Sequence, residues 1–286
     1  MSYPGPVVSA QWLHQNLETP GVVVVDATVH LPDTGRDARK EYLAEHIPGA
    51  LFFDFEQIAD PDNPLRRKIP SAERFAEQVG ALGIDNQTHV VAYDTPGLYS
   101  AARVWWLFRH FGYDSVTVLN GGLKAWKAER LPVDGRQVKP IPAKFVTKTG
   151  RNLVAFWPDV LQAIQSRQNH ILDARTPGRW AGTEVDRYPG ARPGHIPGSR
   201  NLYWADLLDA QTRKLLPVDI IRQRLANAGV RDDRSTILSC GSGLTACILA
   251  LGMHLAGNDH WRVYDGSWDE WGRRADLPVE ASGAVT

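Results

Sequence analysis

The sequence predicts an α/β protein made of two tandem domains, each a mostly parallel sheet with helices on both faces. Two observations carry this expectation. Short β-branched runs such as Val22–Asp26 alternate with stretches whose apolar residues recur at helical spacing. The second half of the chain then repeats the landmarks of the first at a nearly constant separation.

In chain order, residues 8–13 read as a short helix behind a Ser9 cap. Val22–Asp26 is too short and too β-branched for a helix and reads as a buried parallel strand. A charged segment leads to His46-Ile47-Pro48-Gly49-Ala50, a turn that enters residues 51–54. A further strand, His89–Tyr93, runs into Asp94-Thr95-Pro96-Gly97, and a helix from about 99 to 111 ends at Gly112. Residues 115–119 read as a strand, followed by Asn120-Gly121-Gly122 and a helix containing Trp126. Gly135, Pro140, Pro142 and Gly150 mark residues 135–151 as an exposed linker between domains at 1–134 and 152–286.

The second half runs the same programme. Asp173 follows Asp26 by 147 residues, and His195-Ile196-Pro197-Gly198 follows its counterpart by 149. Gly257, Asp265-Gly266 and Trp271 each follow their partners Gly112, Asn120-Gly121 and Trp126 by 145, and Leu277-Pro278 follows Leu131-Pro132 by 146. Such regularity is the mark of a duplicated domain. Features present in both copies are expected to be scaffold: Asp26 and Asp173 as turn or cap residues, the glycines as backbone requirements.

Composition narrows the function. The 286 residues are 43% hydrophobic and 22% charged, with a formal net charge of zero. That balance suits a globular protein and offers no basic field for nucleic acid or an acidic membrane. No apolar run approaches the roughly 20 residues that span a bilayer. Two cysteines seven residues apart make neither a disulfide framework nor a metal pattern. Residues 1–6 show no signal peptide, so the expected location is the reducing cytoplasm.

The expected chemistry lies in Ser239-Cys240-Gly241-Ser242-Gly243-Leu244-Thr245-Ala246-Cys247. Residues 235–238 before it read as a buried strand, and residues 248–255 after it as a helix closed by Gly257. Cys240 thus falls at the end of a strand, on a glycine-rich turn that opens a helix. There backbone N–H groups and the helix dipole favour a thiolate. Cys247 suits the role of a small core residue. Aligned on the duplication, Asp94 stands where the second half has Cys240, and Pro96, which lacks an N–H, stands at Ser242. One copy is expected to keep the chemistry and the other to have become support.

The paired domains, the two His-Ile-Pro-Gly segments and the Cys-Gly-Ser-Gly-Leu-Thr-Ala loop resemble the rhodanese family of sulfurtransferases, from about residue 8 to residue 280. The uncharged loop is similar to that of the 3-mercaptopyruvate branch; thiosulfate enzymes typically carry basic residues where this chain has Gly241 and Ser242. The resemblance implies a Cys240 persulfide formed from a small sulfur donor and passed to a thiol such as thioredoxin or glutathione, or to cyanide. No metal or organic cofactor is implied. Gly241, Gly243, Leu244 and Thr245 would line the donor in this reading, with Arg179 as clamp for its carboxylate. The family's second arginine falls at Tyr188, which leaves Arg187 as the nearest cation. Ser242 is the implied proton-handling serine, with His46 and either Asp37 or the nearby Asp33 as its first-half partners.

Three rival readings stand beside this one. A Cys-x5-Arg phosphatase needs arginine at position 246, and this chain has Ala246. A thiosulfate sulfurtransferase would share the whole scaffold. A non-catalytic interaction protein built on paired rhodanese-like domains would be expected to lose the nucleophile or its loop, and both are intact.

Overall fold

The computed structural model describes residues 5–31, 34–148, 150–166 and 168–281. It divides into two compact units: residues 1–62, 69–151 and 209–215 in the first, and 63–68, 152–208 and 216–286 in the second.

The first unit holds β1 (Val7–Val8), β2 (Val22–Asp26), β3 (Leu51–Phe52), β4 (His89–Tyr93) and β5 (Val116–Leu119) in the order β1-β5-β4-β2-β3. Every pairing is parallel. Val-rich β2 and β4 pair over five residues, from Val22 on His89 to Asp26 on Tyr93. Their apolar content is what a strand covered on both sides requires. The helices are α1 (Ala10–Asn16), α2 (Ala38–Ala44), α3 (Phe55–Ile58), α4 (Ala72–Ala81), α5 (Ala101–His110) and α6 (Gly122–Ala128). Ser9 caps α1 by accepting from the Trp12 N–H. Val8, Leu13, Val24, Ile47, Val91, Tyr93, Leu119 and Trp126 meet in the core.

The second unit repeats this arrangement with β6 (Val154–Ala155), β7 (His170–Asp173), β8 (Arg200–Asn201), β9 (Thr236–Ser239) and β10 (Trp261–Tyr264), in the order β6-β10-β9-β7-β8 and again parallel. Its helices are α7 (Trp157–Ser166), α8 (Pro177–Ala181), α9 (Val218–Asn227), α10 (Ala246–Leu255) and α11 (Ser267–Trp271). Residues Ala246 to Met253 of α10 are all buried, as expected of a helix apolar on every side.

The shared landmarks do the same work in each copy. Asp26 and Asp173 each accept the N–H two residues on, from Thr28 and Arg175, at 2.9 Å. Trp126 and Trp271 each donate their indole N–H to a proline carbonyl, Pro132 at 2.7 Å and Pro278 at 2.8 Å. The two-residue edge strands β1 and β6 were not foreseen, because two residues show no periodicity. Residues 135–151 do more than link. Phe145 is buried among Phe75, Phe108 and Tyr113, and Ala143 donates to the Gly80 carbonyl, so this segment lies against the first unit.

Candidate active site

Cys240 directly follows β9, the strand between β10 and β7, and its residue is 1% exposed. A loop over the carboxyl ends of parallel strands is where α/β folds place ligands. Three backbone ties fix the cysteine: its N–H donates to Ser267 Oγ at 3.1 Å, its carbonyl accepts from the Trp268 N–H at 3.0 Å, and the Gly241 carbonyl accepts from the Asp269 N–H at 2.8 Å. The Gly243 N–H, on a residue at φ +82°, points at Sγ from 3.1 Å. Only glycine adopts that backbone readily. Cys247 is buried in α10 with its thiol on the Gly243 carbonyl at 3.4 Å, consistent with a core role.

The first unit shows what the loop is shaped to hold. Asp94 is fully buried, and its carboxylate accepts five consecutive backbone N–H groups. Gly97 and Leu98 donate to Oδ1 at 2.9 Å; Tyr99, Ser100 and Ala101 donate to Oδ2 at 2.7–2.8 Å. Pro96 contributes no N–H; the five donors begin after the proline, and the chain's own carboxylate occupies them. The same register in the second unit spans residues 243–247, where the Gly243 N–H meets the Cys240 sulfur and the Cys247 N–H donates to the Leu244 carbonyl at 3.3 Å.

Around Cys240 the second unit brings a connected set of polar groups. Arg179 pairs with Asp186 at 2.7 Å, and Asp186 also takes Arg175 at 2.9 Å, which in turn grips Asp173 at 2.8 Å. Burial works against the charge on Arg179, but Asp186 outweighs it and raises the guanidinium's pKa. Burial likewise opposes ionisation of Asp186, and the two arginines reverse the effect, holding its carboxyl below the usual range. The Arg179 guanidinium lies 5.8 Å from the centre of the Tyr188 ring. The Tyr188 hydroxyl lies so close to the loop that a β-carbon on Gly241 would stand 2.5 Å from it, which is why position 241 takes glycine. Burial first, and then the charge of Cys240, push the phenol up to about 12, while a hydrogen bond with Ser242 acts the other way. Tyr188 is therefore a neutral hydroxyl at ordinary pH.

Arg187 is exposed, and its backbone N–H donates to Asp186 at 2.7 Å. His46 and Asp37 belong to the first unit. Asp37 caps α2, accepting the Lys40 N–H at 3.1 Å. Asp33 lies outside the described residues. His46 is buried, with Nδ1 2.6 Å from the Tyr42 carbonyl, its ring stacked on Tyr42, and its main chain bridged to Asp134; Nε2 has no partner among the described residues. His195 repeats this with the Trp180 carbonyl at 2.8 Å, the Trp180 ring, and Glu280. Pinning the turn is thus a duty both histidines share.

Four residues at the site went unnamed in the sequence reading: Arg175, Asp186, Ser267 and Lys68. The duplication carried a signal for Ser267, which has φ +50° where the first copy has Gly122 at +54°. In the second copy that strained backbone carries a side chain whose oxygen accepts from the Cys240 N–H, a difference between the copies at the cysteine itself. Lys68 sat in a run, Arg66-Arg67-Lys68, that reads as a solvated charge cluster, yet it is 2% exposed. Among the described residues, no group of three or more His, Cys, Asp or Glu is placed to hold a metal ion.

Two parallel α/β units, one of which carries a buried cysteine in the glycine-rich loop after its middle strand, define a tandem α/β protein. The chain belongs to the rhodanese family: the rhodanese-like domain matches residues 9–129 and again 157–274. It is 41% identical to the 3-mercaptopyruvate sulfurtransferase of Homo sapiens, over 94% of this chain and 92% of that protein. It is 40% identical to the thiosulfate sulfurtransferase of Cricetulus griseus, over 96% and 95%. The crystal structure of SseA from Escherichia coli, described as a 3-mercaptopyruvate sulfotransferase with the rhodanese fold, superposes with a TM-score of 0.84 at 34% identity. That match covers 92% of this chain and 99% of SseA.

Proposed function

We propose that this chain is a sulfurtransferase that takes sulfur from 3-mercaptopyruvate onto Cys240 and passes it to a thiol or to cyanide. In the first step the Cys240 thiolate attacks the donor's sulfur. The new S–S bond forms as the donor's C–S bond breaks, and the electron pair leaves on carbon as the enolate of pyruvate, which takes up a proton. In the second step an acceptor thiol or cyanide attacks the outer sulfur, and Cys240 leaves as thiolate. Splitting one transfer in two is the ordinary gain of covalent catalysis.

The observation that carries this reading is the loop itself, a cysteine in a cradle whose twin binds a carboxylate through five N–H groups. Such a cradle favours an anionic sulfur both as thiolate and as persulfide. In this proposal Gly241, Gly243, Leu244 and Thr245 line the donor, and Arg179 holds its carboxylate. Ser242, bonded to the Tyr188 hydroxyl, hands the proton to the leaving carbon. The geometry gives His46 and Asp37 structural duties, and the proposal needs no more from them. Thioredoxin or glutathione fits as the acceptor, and a reducing compartment such as the cytoplasm suits two free thiols.

Identity to mercaptopyruvate and thiosulfate enzymes is nearly equal, so the choice of donor rests on the loop. Gly241 and Ser242 offer no cationic side chain to a thiosulfate dianion. The test is a comparison of rates for 3-mercaptopyruvate and thiosulfate at matched acceptor concentration. 3-Mercaptopyruvate is expected to be the better donor by at least about tenfold, the equivalent of one charge-assisted hydrogen bond. Equal or faster use of thiosulfate would replace this donor assignment.

A further inference from the structure

The loop's own side chains carry no charge, yet a buried amine is bonded to it. Lys68 belongs to the short segment 63–68 that packs with the second unit, and the residue is 2% exposed. Its Nζ donates to the Ser242 carbonyl at 2.9 Å and to the Asp265 carbonyl at 2.7 Å. The first carbonyl lies in the loop, two residues from Cys240. The second opens the turn that carries Ser267, Trp268 and Asp269, whose groups hold the backbone of Cys240 and Gly241. Lys68 therefore ties the loop to the turn that orients it. With the Ser242 carbonyl turned toward an ammonium, the next N–H, that of Gly243, lies on the sulfur.

We propose that Lys68 is the positioning residue and the cation of the Cys240 loop, supplying from outside the loop the positive charge its sequence lacks. This role rests on Cys240 being the sulfur carrier. A lysine sequestered from water costs stability unless its charge is used. Here two carbonyl oxygens accept from it, and its charge also acts on the Asp269 carboxyl. The other ionisable groups near the loop include the buried carboxyl of Asp265. Arg179 and Arg175 are matched by Asp186 and Asp173, Arg273 lies 2.7 Å from Asp269, and Tyr188 is neutral. Lys68 adds its positive charge to this set directly on the loop, through the Ser242 carbonyl.

The test compares the unaltered chain with Lys68→Met, Lys68→Gln and Lys68→Arg, each checked for folding by thermal unfolding. The readout is the pH midpoint of Cys240 ionisation, followed by the ultraviolet absorbance of the thiolate with Cys240→Ser as blank. Loss of a nearby cation is expected to raise the midpoint by roughly one unit or more in Lys68→Met and Lys68→Gln. Pyruvate release at neutral pH should fall roughly tenfold with it, and Lys68→Arg should restore most of both. Lys68→Gln keeps two donors for the two carbonyls, so it decides the matter if Lys68→Met does not fold. Midpoints unchanged in folded, uncharged variants would overturn the role of Lys68 while leaving the sulfurtransferase reading intact. Sulfur carried by a residue other than Cys240 in the unaltered chain would overturn both.

Discussion

Arg179, the residue chosen from sequence to clamp a carboxylate, is held in place by Asp186, which Arg175 holds in turn. A guanidinium oriented this way presents a fixed fork to a substrate, and lysine cannot reproduce that geometry. Arg179→Lys is therefore expected to raise KM for 3-mercaptopyruvate roughly tenfold or more while Cys240 stays reactive to iodoacetamide; steady-state kinetics with alkylation as control will show it. Asp186→Asn leaves two buried cations without their shared partner, and urea unfolding should register a loss of roughly 3–5 kcal/mol. The pH sense follows from the depressed carboxyl. Its stabilisation is fully present above the unfolded value, near 3.9, and is lost as pH falls through the lower folded value. Tyr188 titrates at about 12, so Tyr188→Phe should lower turnover without moving any limb of the pH–rate profile below about pH 10.

The loop after β4 and the loop after β9 are one element put to two uses. In the first unit five N–H groups close on Asp94, and in the second the Gly243 N–H meets the Cys240 sulfur. Asp94→Ala would strip five buried donors of their acceptor, a loss of roughly 3–5 kcal/mol expected in the first unit by urea unfolding. An unchanged midpoint would mean that the cradle does not need its anion. The duplication made this pairing of loops legible from the chain alone, because Val-rich strands, paired glycines and repeated tryptophans fix the register. It also located Cys240 and the constraint at Gly243. The groups brought in from afar were not legible. Lys68 reads locally as one of three exposed basic residues, and only the packing of segment 63–68 shows that its amine is buried. Tyr188 drew notice only as a missing arginine, since contact with Gly241 is a tertiary fact that no spacing encodes. Ser267 stood in the repeat as a serine against a glycine, but its meaning needed the hydrogen bond to Cys240.

Across the whole molecule, one parallel sheet occurs twice, with Asp94 in the first copy where the second has Cys240. The buried polar groups of the first unit also set how the protein responds to acid. His89, 1% exposed in β4 between Ser115 and Thr117, is held down to about 4 by burial. Its folded value lies below the unfolded 6.5, so its contribution is complete above pH 6.5 and is lost as pH falls through about 4. Across that window the loss amounts to about 3 kcal/mol, and His89→Gln should flatten the acid limb of a stability–pH curve measured by urea unfolding. The central claim, however, rests on one atom. After incubation with 3-mercaptopyruvate and no acceptor, peptide mass spectrometry should find one added sulfur on Cys240, released pyruvate in equal amount, and neither in Cys240→Ser. Sulfur on Cys247, or undiminished pyruvate release from Cys240→Ser, would contradict the account.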